Sequence, residues 1–328
     1  MGELPFELIE RKVLVKKEYQ TNPGYGKYPS ERTLPELIDY GIINLNKPPG
    51  PTSHQVADNV KKIFKASKVG HGGTLDPKVT GVLPIVLNKA TRVVQTLLPA
   101  GKEYVALIYL HKNVDKDEIK KVLNQFIGKI EQMPPVRSAV KRQLRIRDIY
   151  YLEILEIESQ NILVKIGCQG GTYIRKIASD LGEKLGTGAH LKQLVRTKSG
   201  PFKFDDSFTL LEVKDAYVLY NNFNDESYLK KILLSIEDGV KHLAKIWIND
   251  FAVDSLCHGA SLNLPGISKL ESNIKVNDLI AIMTLKNELI GVGEANLTSK
   301  EMIDKNKGLA VKKTKIFMDR GAYPKFIK

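Results

Sequence analysis

With only two cysteines in 328 residues, Cys168 and Cys257, far apart and without metal-ligand neighbours, the sequence offers neither a disulfide framework nor a zinc site. A reducing intracellular compartment is the expectation that follows. No apolar run approaches the roughly 20 residues of a membrane-spanning helix, so no membrane association is expected. The opening Met1-Gly2-Glu3-Leu4-Pro5-Phe6 carries acid where a secretory signal has base, and Phe6 where a myristoylation signal has Ser or Thr. Also missing are a Gly-Lys-Ser/Thr triplet and a complete G-x-G-x-x-G, although glycines cluster at Gly70 to Gly73 and Gly167 to Gly171. These absences argue against a P-loop or dinucleotide enzyme, and no cofactor or metal is expected.

What the chain has in excess is positive charge. Fifty Lys and Arg against 37 Asp and Glu give +13 and a pI near 9.4. A surplus of that size favours a polyanionic partner such as nucleic acid, the alternative being a lysine-rich surface used for solubility or heat tolerance. The length allows two or three domains.

The chain is organised around Gly70-His71-Gly72-Gly73-Thr74-Leu75-Asp76-Pro77-Lys78-Val79-Thr80-Gly81-Val82-Leu83-Pro84. Here one carboxylate, Asp76, stands between a glycine-rich turn and a proline that biases it toward extended geometry. Such an Asp reads either as a positioned nucleophile or base, or as a turn residue bonded to its own backbone. Before it, Gly41 to Asn46 reads as a strand ending at Pro48-Pro49-Gly50-Pro51, and Thr52 or Ser53 caps a helix with Val56, Val60, Ile63 and Phe64. Lys47 reads as a phosphate contact or an ordinary solvated lysine. After it come a buried strand over Val82 to Leu87, a helix at Ala90 to Gln95 and a strand over Lys102 to Leu110. A helix capped at Asp115 or Asp117 carries Ile119, Val122, Leu123, Phe126 and Ile127. Four cations in Lys141 to Arg147 read either as a solvated charged strand or, as the net charge favours, as a mobile basic loop that closes on RNA backbone. Strands over Ile149 to Ile157 and Ile162 to Ile166 lead into a helix with Ile174, Ile177, Ala178, Leu181 and Leu185, and residues 212 to 230 read as helix and linker. From about Ile246 short strands and turns, Ala260 to Leu264, Leu279 to Leu285, Leu289 to Val292 and Leu309 to Phe317, predict a small β-barrel. Eight Lys and Arg against Asp319 alone between Lys305 and Lys328 give it an electropositive edge.

His71-Gly72-Gly73-Thr74-Leu75-Asp76-Pro77 with Thr80-Gly81-Val82-Leu83-Pro84 resembles the catalytic segment of the TruB/dyskerin pseudouridine synthases. The likeness extends to Gly41 through Ser53, Lys102-Glu103-Tyr104, Gly171-Thr172-Tyr173-Ile174-Arg175 and Leu191 through Thr197, and so spans roughly residues 40 to 210. It implies an α+β fold: a mixed, largely antiparallel sheet in a catalytic domain (37–245), an N-terminal arm (1–36) packing on the C-terminal domain, and a PUA-like β-barrel (246–328), for which Cys257 through Leu262 and Pro265-Gly266-Ile267 are the residues of likeness. It also implies that Asp76 is the nucleophile, that Tyr104 stacks on the extruded uracil and is able to take the C5 proton, and that Arg175 pairs with Asp76. His71, Leu194 and Lys47 become candidate substrate contacts. Arg145, Arg147, Arg196, Gly259, Lys313 and Arg320 become candidate RNA contacts.

The reading closest to these features is the catalytic subunit of a guide-directed H/ACA ribonucleoprotein of archaeal, cytoplasmic type, a nucleolar location following only for a eukaryotic source. Its partners would be an H/ACA guide RNA, a ribosomal RNA substrate with tRNA as a second one, and small protein subunits. A stand-alone synthase for the tRNA T-loop is the alternative within the family. A non-catalytic RNA scaffold is the alternative outside it, and would predict damage at Asp76, Tyr104 or Arg175.

Overall fold

A computed structural model of the chain describes residues 2–133 and 143–325. It divides into two compact units, one of Met1–Leu8, Ile43–Leu87 and Val94–Ile232, the other of Ile9–Ile42, Asn88–Val93 and Leu233–Lys328.

The first unit is built on a mixed sheet whose strands follow the order Gly41–Lys47, Thr80–Leu87, Ala189–Ser199, Lys102–Leu110, Asn161–Cys168, Arg145–Glu158, Gly128–Gln132. Thr80–Leu87 runs parallel to Ala189–Ser199; the later pairings are antiparallel. Lys102–Leu110 is central, and its β-forming residues put Tyr104, Ala106, Ile108 and Leu110 on one buried face. The helix Ser53–Phe64 starts at a capping box, with the Thr52 hydroxyl accepting from the Gln55 amide and the Gln55 side chain accepting from the Thr52 amide. It buries Val56, Val60 and Phe64 at helical spacing and stops at Lys65 in the left-handed region. The helix Ile174–Lys184 buries Ile174, Ile177, Ala178 and Leu181 in the same way.

Two expectations change here, and one strand is added. The proposed helix at Ala90 to Gln95 is instead a 3₁₀ turn, Asn88–Val93, followed by one helical turn, Val94–Leu97. The expected basic loop is not a loop where it is described: Arg145 and Arg147 open the strand Arg145–Glu158, opposite Gln132 and Ile130, because Ile146 and its neighbours complete a ladder with Gly128–Gln132. Lys141 and Arg142 lie outside the described residues. The strand Ala189–Ser199 had no clear alternation to reveal it, being mostly half-buried.

In the second unit a seven-stranded sheet follows the order Val13–Val15, Ile267–Glu271, Ala244–Ile248, Leu279–Thr284, Leu289–Ala295, Leu309–Ile316, Leu262–Asn263. Its core gathers Ile246, Ile248, Val253, Leu256, Ile280, Ile282, Ile290 and Val311. The arm contributes the edge strand, and its Thr21 hydroxyl and Asn22 amide donate to the Asp250 carboxylate. The buried Lys286 ammonium donates to the carbonyls of Pro23 and Tyr25. The stretch before Ile9 belongs to the first unit, where Leu4 is fully buried and Glu7 pairs with Lys198 at 2.9 Å. Three helices of this unit escaped the sequence reading, Leu34–Asp39, Asp250–Cys257 and Ser299–Asp304, all too short to show a period. The expected strand Ala260 to Leu264 is only Leu262–Asn263, ended by a 3₁₀ turn at Pro265.

One close approach fixes the first unit. Gly81 stands opposite Arg196 at φ +102°, where a Cβ would lie 2.2 Å from the Arg196 carbonyl oxygen. We expect Gly81→Ala to destabilise the protein by about 2 kcal/mol or more through backbone strain and overlap. A thermal unfolding midpoint equal to that of wild type would refute this.

Candidate active site

Asp76 sits on the loop between the strands Val69–His71 and Thr80–Leu87, and its position is set by what holds that loop from below. The Lys47 ammonium, fully buried, donates to the carbonyls of Pro48, Pro77 and Val79 at 2.9, 3.0 and 2.9 Å. The buried Ser53 hydroxyl accepts from the Leu75 amide at 2.8 Å and donates to the Leu75 carbonyl at 3.0 Å. The Gly50 amide donates to the Pro77 carbonyl, and the Val79 amide to that of Asp76. With both flanks bonded, the Asp76 side chain is the part of the turn left facing outward, 46% exposed.

Across from it, Arg175 lies on the first turn of the helix Ile174–Lys184 and reaches Asp76 Oδ2 through Nη2 at 3.0 Å. The helix start is itself clamped. Buried Gln132 accepts from the Tyr173 amide at 2.9 Å and donates to the Tyr173 carbonyl at 3.1 Å. A cation at a helix N-terminus is disfavoured by the helix dipole, and the Asp76 carboxylate offsets this. Because both partners are about half exposed, the pair adds under about 1 kcal/mol to stability. Its contribution is orientation.

Tyr104 and Leu194 come from adjacent strands, Tyr104 opposite Arg196 and Ala106 opposite Leu194. Tyr104 is nearly buried, and burial raises its phenol above the ordinary value while the Arg196 guanidinium works the other way. A neutral phenol suits stacking on a base; accepting a proton from C5 would need the phenolate that burial disfavours. His71, half-buried, has its pKa lowered first by burial and then by Arg196 and His54. A neutral imidazole suits packing against a base more than pairing with phosphate.

Two of the expected contacts are corrected. Lys47 does not face RNA phosphate, since all three of its donors are spent inside the protein, on the carbonyl of Pro48 beside it and on two carbonyls of the loop that carries Asp76. Arg196 is likewise buried, with Nε donating to the Val82 carbonyl at 2.7 Å and Nη2 to the Gly73 carbonyl at 2.9 Å. Both residues shape the site without lying on its surface. Arg147 is half-buried, lying beside Gly171, with Nη1 donating to the Ile146 carbonyl; Arg145 is half-buried on the same strand. In the second unit Gly259 is exposed at φ +93° with open space around it. Lys313 is exposed and pairs with Glu294 at 2.9 Å, and exposed Arg320 donates to the Cys257 carbonyl. Ser53 and Gln132 were missed by the sequence reading: a small hydroxyl at a helix start and an amide on an edge strand carry no signal of the chain they bind across.

The sequence matches the TruB family pseudouridylate synthase N-terminal domain over residues 61–174, the tRNA pseudouridylate synthase B C-terminal domain over 175–241, the PUA domain over 244–317 and the DKCLD (NUC011) domain over 2–57. It is 53% identical to a probable tRNA pseudouridine synthase B of Pyrococcus furiosus, covering 97% of this chain and 94% of that one. The corresponding protein of Methanopyrus kandleri is 51% identical, with 98% and 95% covered. Among solved structures it is similar to a chain of a Cbf5-Nop10-Gar1 complex, with a TM-score of 0.93, 52% identity and 99% of each chain covered. It is also similar to a chain of an H/ACA RNP bound to a substrate RNA containing 2'-deoxyuridine, with a TM-score of 0.91, 49% identity and 98% and 99% covered.

Replacing Ser53 by Ala leaves the buried Leu75 amide and carbonyl without that partner. The expected cost is about 1 to 3 kcal/mol, accompanied by faster hydrogen exchange at the Leu75 amide. Unchanged exchange there would show that the hydroxyl does not hold the loop.

Proposed function

This chain belongs to the TruB family of pseudouridylate synthases, and from that premise we propose that it isomerises uridine in ribosomal RNA as the catalytic subunit of a guide-directed H/ACA ribonucleoprotein. The observation that carries the chemistry is the Asp76–Arg175 pair at 3.0 Å on a loop bonded from both sides. Pseudouridine formation breaks the bond between N1 and ribose C1′, turns the base and rejoins it through C5. Nothing is oxidised, reduced or hydrolysed in the balance.

In this reading Arg175 holds the Asp76 carboxylate aimed at the nucleotide. Asp76 forms a covalent bond to the ribose or to the base, and the bond is released when C5 takes the place of N1; the C5 proton is lost to solvent and N1 gains one, so the balance closes. Tyr104 stacks on the extruded uracil, Leu194 walls the pocket, and His71 fills space left by the base in its stack. All the groups required for this are present, which separates the chain from a non-catalytic scaffold that kept only the fold.

The guide-directed form is supported by the similarity, over nearly the whole chain, to chains solved in complexes with Nop10, Gar1 and substrate RNA. We carry the same kind of partners over to this protein: small protein subunits, an H/ACA guide RNA and a paired target. The relatives named tRNA pseudouridine synthase B favour a second substrate, the T-loop uridine of tRNA. Sequencing RNA that co-purifies from the source cells separates the two, since box H/ACA guides support the first reading and tRNA alone the second.

Asp76→Asn is expected to abolish tritium release from C5-labelled target RNA while leaving RNA affinity within about twofold, the change being nearly isosteric. Near wild-type turnover would overturn the assignment of the nucleophile. Arg175→Ala is expected to lower turnover by roughly a hundredfold or more with little change in the unfolding midpoint, because the exposed pair orients more than it stabilises.

A further inference from the structure

Behind Tyr104 the structure buries two cations together. Lys102 lies two residues before Tyr104 on the same face of its strand, and Arg196 faces Tyr104 across the ladder. A Cβ placed on Gly73, which is at φ +135°, would be 3.6 Å from both Arg196 Nη1 and Lys102 Cε, so the two side chains converge on the loop that carries Asp76. Among the described residues neither makes an ion pair. Lys102 Nζ donates to the carbonyls of Leu97 and Ala100 at 2.8 and 2.9 Å, and Arg196 to those of Val82 and Gly73.

Two buried positive groups without a carboxylate between them are costly unless negative charge arrives nearby. The reaction delivers it. If Asp76 attacks ribose, the electron pair of the broken N1–C1′ bond goes onto the pyrimidine; if it attacks the base, the ring becomes an enolate. In either case the carboxylate becomes an ester and its charge passes to the ring.

We propose that Lys102 and Arg196 are positioning residues whose paired charge favours the pyrimidine anion while it lies against Tyr104, so that the protonated form of Lys102 is the active one. The inference rests on uridine isomerisation at Asp76.

Burial first, and Arg196 second, push the Lys102 ammonium down to about 7. The other groups around it are Tyr104 on its own strand and Cys168 on the neighbouring one, both raised by burial; His71, which feels Arg196, is lowered by burial. Of these, Lys102 is the group that loses a charge as pH rises through neutrality.

The test uses the full chain assembled with guide and protein subunits, and single-turnover tritium release from C5-labelled target RNA. Wild type should slow by roughly tenfold per pH unit above about 7. Lys102→Arg should carry the plateau up to about pH 9, and Lys102→Met should be slower by roughly tenfold to a hundredfold and lose the slope, with half-saturating RNA changed by less than about twofold. A flat wild-type profile, a Lys102→Arg profile equal to that of wild type, or a Lys102→Met rate equal to it would each overturn the proposal. Should Lys102→Met fail to fold, wild type against Lys102→Arg decides the matter. Absence of any tritium release by wild type would instead bring down the isomerase reading itself.

Discussion

The Lys47 ammonium inside the first unit is the contact on which the site depends. It is surrounded by three carbonyls, two of them from the loop that carries Asp76. Burial lowers its pKa, while the nearby Asp76 charge opposes the shift. A lysine so placed acts as an internal staple: it ties carbonyls of two turns, at Pro48 and at Pro77 and Val79, to one buried ammonium. Ser53 and Gly50 complete the work from the same side, so the backbone on either side of Asp76 is committed before any substrate arrives. Preorganisation of that kind is what a carboxylate nucleophile needs.

The legible part of the chain was the part with strong local chemistry. Lys102–Leu110 declared itself by its β-forming residues, Ser53–Phe64 by its cap and its apolar face, and Asp76 by the turn residues on both sides. The pairing of Arg175 with Asp76 came from likeness to a family, because 99 positions of separation leave no local trace. What could not be read was the burial of individual cations. Lys47 and Arg196 have the composition of RNA contacts and the environment of core residues, and only the third dimension distinguishes the two. The same holds for Arg145 and Arg147, which count as a charge run in sequence and as the end of a ladder in the fold.

These buried cations change how the charge of the first unit is to be understood. The basic surplus suggested a surface for a polyanion, yet part of it faces inward, on carbonyls and beside Tyr104. Positive charge held inside is not screened by salt as surface charge is. Attraction of RNA and polarisation of the reacting base are thus assigned to different lysines and arginines within one unit.

Between Lys102 and Tyr104 stands Glu103, pointing to the opposite side of the sheet, where its carboxylate accepts from the hydroxyls of Tyr151 and Thr197 and lies 3.7 Å from Lys198. Successive residues of one strand are thereby committed to two incompatible environments, an aromatic platform on one side and an anion among hydroxyls on the other. The strand obeys a parity rule: its length up to Lys102 is free to change by two residues in principle, while a shift by one exchanges the carboxylate with the phenol and inverts both faces together. Homologous chains should for that reason vary in length at hairpins such as Ser159-Gln160, and not within the run from Gly101 to Ala106.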